Sequence, residues 1–238
     1  MTAKQLFQAG KLNDAVKALA AEVRDNPTDP RRRTFLFELL CFAGEFDRAE
    51  KHLHVLAQNN SNSEMGAVLY FSALHAERTR LEKFAQGDMS SGQSDKQSSG
   101  TLNGQPFTSI VDADPRIGPR LELFAAGAYM WIPFEHIDSI EIQAPTKLRD
   151  LLWVPALVRT GPSFKDTELG EVLIPVQYPK SFANENDNVR LGRETHWQEV
   201  AGGEPIPVGQ KVFLVDGEEF PLLEVRKIEF TAQESAAA

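Results

Sequence analysis

The chain has 238 residues, 42% hydrophobic and 25% charged, with a formal net charge of −9. That length can bury one large core or two smaller ones, the composition is ordinary for a soluble globular protein, and no apolar run reaches the ~18 residues of a membrane span. The charge is uneven: residues 1–86 hold 12 Lys/Arg against 11 Asp/Glu, whereas residues 87–238 hold 13 against 23. So acidic a second half repels phosphate backbones and excludes nucleic acid as the expected partner.

The first residues, MTAKQLFQAGKLNDAV, are amphipathic and lack a basic cap followed by an apolar block, so no secretory signal is expected. A 34-residue repeat begins here. Gly10, Leu12, Ala15 and Leu19 recur as Gly44, Phe46, Ala49 and Leu53. That period and the pattern G-x-[YF]-x-x-A-x-x-x-L are those of tetratricopeptide (TPR) helix pairs, in which glycine permits the turn and alanine the close approach. Asn26-Pro27 ends the first unit, because a residue before proline disfavours helix. The Arg31–Arg33 run reads as a solvated helix start.

Cys41, the sole cysteine, lies in an apolar run from Phe35 to Phe42. It reads as a small buried hydrophobe, and a lone cysteine fits a reducing, cytoplasmic setting. Residues 64–86 predict a third, capping helix with Val68, Phe71, Ala73, Leu74 and Leu81 on one stripe. One period beyond the second unit the anchors become Arg78, Arg80 and Lys83, so the repeat has degenerated there. In TPR register, Arg31, Thr34, Glu38 and Cys41, with Met65, Val68, Ser72 and His75, turn toward a concave face that could take a helix or extended peptide. The alternative is that these faces pack on the rest of the chain.

Residues 87–105, rich in Gly, Ser and Gln, read as a flexible linker between a helical domain, 1–86, and a β-rich domain, 106–238. Strands are expected at 107–111, 120–125, 128–134, 137–143, 153–159, 171–178, 210–215 and 222–230. Ala126-Gly127 and Asp216-Gly217 supply turns, and a short helix over 145–152 takes Thr146 as its N-cap. Frequent prolines suit a small, irregular sheet or barrel, and Pro133 and Pro155 argue for edge strands. The fold class is α+β, helices first and strands second.

Catalytic signatures such as G-x-S-x-G, Walker A, H-E-x-x-H and C-x-x-C are missing, the five histidines are scattered, and no cofactor is expected. His52-x-His54 would project in different directions from a helix and makes a poor metal pair. Asp112, Asp114 and Glu122, with His136, could in principle hold a divalent cation or serve a hydrolase. The stronger expectation is a charge-assisted network with Arg116, Arg120, Arg149 and Asp150 that fixes an irregular loop. Trp131, Trp153 and Trp197 are expected in the core rather than at an interface.

The run D-A-D-x-R-x-G-P-x-L-E contains Asp112, Asp114, Arg116, Gly118, Pro119 and Glu122. It is followed by W-I-P-F at Trp131 and Pro133, then L-R-D-L-L-W-V-P-A at Arg149, Asp150, Trp153 and Pro155. Ile174-Pro175, Gln177-Tyr178-Pro179, Leu191, Arg193, Trp197 and Leu222-Leu223-Glu224-Val225-Arg226 continue the series. These motifs, in this order, resemble the ImpE family (also called SciE or TagJ), accessory proteins of the bacterial type VI secretion system. The resemblance implies a non-enzymatic adaptor that binds a helix of the small contractile-sheath subunit, with a tie to the ATPase that recycles the sheath. Family members often carry a longer helical middle than this chain.

Overall fold

The computed structural model describes residues 1–58, 61–87, 97–161, 164, 169–200 and 202–231, and only the backbone of residues 61–65. Five helices come first: α1 (Ala3–Gln8), α2 (Leu12–Asp25), α3 (Pro30–Phe42), α4 (Phe46–Ala57) and α5 (Ser61–Gln86). Thr2 and Gln5 form a reciprocal capping box on α1, and Asp29 caps α3 by accepting the amides of Arg31 and Arg32, with Pro30 in the first turn. The 34-residue repeat is visible in space. Gly10 and Gly44 both turn at positive φ, +71° and +73°, and Ala15 and Ala49 are fully buried at the matching helix contacts. No helix among the described residues is long and apolar enough to cross a membrane.

Thirteen strands and one short helix follow among the described residues. They are β1 (Gly100–Leu102), β2 (Gln105–Phe107), β3 (Ile110–Asp112), β4 (Arg120–Ala125), β5 (Ala128–Pro133), β6 (Ile137–Ile142) and β7 (Trp153–Thr160). Then come β8 (Gly170–Pro175), α6 (Asp187–Arg190), β9 (Thr195–Gln198), β10 (Ile206–Gly209), β11 (Val212–Val215), β12 (Glu218–Pro221) and β13 (Lys227–Phe230). Eight of them form an antiparallel sheet in the order β2-β1-β13-β6-β7-β8-β4-β5. A three-stranded sheet, β12-β11-β3, and the β9–β10 pair complete the region.

Several elements differ from their sequence reading. Gly100–Leu102 is a strand paired with β13, within a stretch whose Gly/Ser composition suggested linker; residues 88–96 of that stretch lie outside the described residues. Residues 145–152 form no full helix, only a 3₁₀ turn at Leu148–Leu151. Its cap is not Thr146: the Asp150 carboxylate accepts the amides of Thr146 and Lys147, both at 2.9 Å. Residues 222–230 open with a 3₁₀ turn before β13. Pro133 does end an edge strand, but Pro155 lies in β7, between β6 and β8. It is tolerated there because the β6–β7 pairing reaches only to Ile142–Ala156, the residue after the proline, and does not include Pro155 itself.

Two apolar clusters form. One lies within the sheet region, around Leu123, Phe134, Val154, Ile174 and Phe213. The other is made by the helices but includes Phe124, Leu152, Trp153 and Leu191 from the second half. Helices and sheet therefore share a core, and α5 lies along their seam.

Candidate functional site

The seam carries a buried ion network. Arg80, on the sheet-facing side of α5, donates from Nε and Nη2 to the two oxygens of Glu122 on β4 at 2.7 and 3.0 Å. It also donates to Glu77 Oε1 at 2.9 Å and to the Gln177 carbonyl at 2.8 Å. Lys211 Nζ lies 2.6 Å from Asp112 Oδ2 and 2.9 Å from Glu122 Oε2. Tyr129 donates its hydroxyl to Glu122 at 2.7 Å and receives the indole N–H of Trp131. Trp153 donates its indole N–H to Glu77 at 3.2 Å.

The electrostatics follow from this geometry. Burial opposes ionisation of Glu122, but Arg80 and Lys211 outweigh it and hold the carboxyl at about 2. For Asp112 burial wins over the single Lys211 partner and pushes the carboxyl up to about 6. Burial works against the charge of Lys211 and Arg80 as well, yet Asp112 and Glu122 raise Lys211, and Glu122 and Glu77 raise Arg80.

The motif residues divide between two places. Asp112 and Glu122 join the network, and Asp114 clamps Arg116 through both of its oxygens at 2.8 and 2.6 Å. Arg120 donates to the carbonyls of Ile117 and Arg116 and lies 4.2 Å over the Trp131 ring. Gly118 permits the turn at φ +62°, with Pro119 next in the chain. Arg149 and Asp150 instead pair with each other at 3.7 Å beneath α5, where the Arg149 guanidinium lies 5.0 Å from the Tyr70 ring centre. The single loop network expected from sequence is thus two separate assemblies.

Sequence reasoning missed Arg80, Lys211, Glu77 and Tyr129. The available signal was Arg80 with Glu77, two charges sharing a helix face with Ala73 and Ala76. Both oxygens of Glu122 and Oδ2 of Asp112 are committed to protein cations deep in the fold, and Asp112 Oδ1 accepts the amide of Asp114 at 2.9 Å. Among the described residues no group of three or more His, Cys, Asp or Glu has metal-holding geometry, and His136 lies against Phe164 instead.

The expected partner face also divides. Arg31, Thr34 and His75 are exposed. Cys41 is not available: it is 3% exposed and belongs to the helical core, because α3 packs that side against the seam. Glu38 is half-buried beside Arg149 and Asp150, where burial raises its carboxyl to about 7 against the opposing pull of Arg149. The β-rich half therefore reaches the expected face at Glu38, through Arg149 and Asp150. The Met65 side chain lies outside the described residues.

Val68, at 60% exposure, and Leu69, at 47%, stand open. They edge a groove of about 410 Å³ between α5 and the sheet, whose lining includes Ser72, Phe124, Trp153 and Pro155. The turn at Ala126 and Gly127, with φ +48° and +82°, approaches Ser72 so closely that a Cβ on Gly127 would stand 3.3 Å from it. Trp153 is core, Trp131 half-buried and Trp197 exposed, so the core expectation fails for Trp197.

With this geometry, the relatives of the chain can be stated. A family model described as "ImpE protein" matches residues 104–229, and one described as "Tetratricopeptide repeat" matches residues 6–69. The chain is 30% identical over 267 aligned positions to a Pseudomonas aeruginosa protein named type VI secretion system accessory component TagJ, covering 97% of this chain and 91% of that one. The alignment is longer than the chain, so the relative carries additional residues. A crystal structure of a Vibrio parahaemolyticus protein is similar with a TM-score of 0.83 over 98% of both chains, at 23% identity, which supports the fold alone.

Proposed function

The chain belongs to the ImpE family, and from that premise we propose that it is a cytoplasmic, non-enzymatic accessory component of a bacterial type VI secretion system. In this reading it binds a helical segment of the small contractile-sheath subunit and links it to the sheath-recycling ATPase. The observation that carries the proposal is the open groove beneath Val68 and Leu69. Large apolar side chains exposed beside a concave, largely apolar wall are what an amphipathic helix covers on docking. The wall combines Trp153 and Pro155 with Phe124 of β4 and Val172 and Leu173 of β8. A hydrolytic role for Asp112 and Glu122 is disfavoured, since a substrate would first have to displace Lys211 and Arg80.

A helix in such a groove buries limited area and loses ordering entropy, so an affinity near micromolar, about −8 kcal/mol, is expected. Calorimetry of the full chain against peptides spanning the helices of the small sheath subunit tests this. Val68→Glu places a charge against the ligand's apolar face and lowers affinity at least tenfold while the fold persists, because Val68 is exposed. The absence of binding by any sheath-subunit helix would refute the proposal.

A further inference from the structure

A second groove, on residues separate from the α5 groove, has a chemistry of its own. β9 and β10 pair as a hairpin with Trp197 opposite Pro207, and Trp197 and Val200 are 42% and 41% exposed. The indole of Trp197 is not loose: its N–H is donated to Glu219 Oε1 on β12 at 3.1 Å, which fixes the ring plane. Beside the ring lies a groove of about 480 Å³ lined also by Val111 of β3, Leu214 of β11 and Pro205. Glu199 and Glu204, both exposed, stand on its rim, and the described residues lining it include no lysine or arginine.

Three physical features coincide there. An exposed tryptophan held in place by a hydrogen bond loses little freedom on binding, and tryptophan is the residue type most often found at the energetic centre of interfaces. Its open face attracts a cation, and a Lys or Arg stem covers apolar surface while its head stays near the carboxylates. Glu199 and Glu204, in the chain's acidic second half, favour a positive ligand and disfavour a negative one.

We propose that this groove docks an extended basic segment of a protein partner. One lysine or arginine side chain lies over Trp197 toward Glu199 and Glu204, and a neighbouring aliphatic side chain enters against Val111 and Leu214. The site would give the protein a second interaction surface, independent of the α5 groove.

The test is selection of a displayed library of random short peptides on the immobilised full chain, in parallel with the Trp197→Ala variant. Selected sequences are then measured by calorimetry. The expected result is enrichment of peptides pairing Lys or Arg with an aliphatic residue. Their affinity should fall at least tenfold in Trp197→Ala and several-fold in Glu199→Gln/Glu204→Gln, and weaken with added salt. Binding should be unchanged in Val68→Glu, which separates this site from the α5 groove. Trp197 and both glutamates are exposed, and a melting curve equal to wild type confirms that the variants are folded. Enrichment of acidic or uncharged peptides, equal binding by Trp197→Ala, or no enrichment at all would overturn the proposal.

Discussion

Replacing Arg80 by methionine should be the most damaging single change in the seam. Methionine keeps most of the side-chain volume, so the effect reports the lost charge rather than a cavity. The wild-type guanidinium makes four hydrogen bonds, two to Glu122 and one each to Glu77 and the Gln177 carbonyl, at 2% exposure. Breaking a buried ion pair by removing one partner costs about 3–5 kcal/mol, because the remaining charge stays desolvated. Glu122 keeps Lys211 at 2.9 Å and the Tyr129 hydroxyl at 2.7 Å, which places the expected loss at the lower end, about 3 kcal/mol. Urea unfolding at pH 7 should show this as a lower midpoint with an unchanged slope, and melting should fall by about 6–12 °C. Glu122→Gln alone should also destabilise, while the double variant should lose less than the sum, with a coupling of at least about 1.5 kcal/mol. An Arg80→Met loss below about 1 kcal/mol, or strict additivity with Glu122→Gln, would show that the network does not hold helices to sheet.

Three further outcomes follow from the same contacts. Glu38 has a folded-state value near 7 against an ordinary 4.5, so its contribution is fully present below 4.5 and is lost as pH rises through 7. Glu38→Gln should therefore gain stability on wild type progressively across that window, and parallel pH profiles would contradict the assignment. The Tyr70 hydroxyl is buried without a hydrogen-bond partner among the described residues, so Tyr70→Phe should leave stability unchanged or raise it by up to about 1 kcal/mol in denaturant titration; a clear loss would reveal a partner. A fragment of residues 1–86 lacks Phe124, Leu152 and Trp153 from its core and exposes Arg80, so calorimetry should find no cooperative melt, and a sharp transition would mean that the helices fold alone.

What the sequence disclosed was local. Gly10 and Gly44 mark turns, Ala15 and Ala49 mark close contacts, and their fixed separation makes the helical repeat legible. The hairpins turning at Ala126-Gly127 and Asp216-Gly217 were legible too, because both pairs sit at positive φ between apolar runs. The seam was not. Arg80 meets Glu122 across 42 positions and Lys211 meets Asp112 across 99, and such contacts leave no periodic trace. Arg80 read as decay of the repeat, although it is the charge that joins the two halves. β9 and β10 were not among the expected strands because exposed THWQ alternates nothing apolar with polar, and Gly100–Leu102 was hidden in a Gly/Ser-rich stretch. Within the expected partner face Cys41 is buried and Glu38 half-buried, because helical register says which residues share a side, not what packs against it.

Hydrogen exchange of the full chain, alone and saturated with the small sheath subunit, locates the surface on which the subunit docks. New protection is expected in two segments that flank one groove, the amides around Val68–Ala73 and those of Leu148–Val154, with the β9–β10 hairpin unchanged. Protection confined to other surfaces, or none under conditions where the subunit is bound, would contradict it.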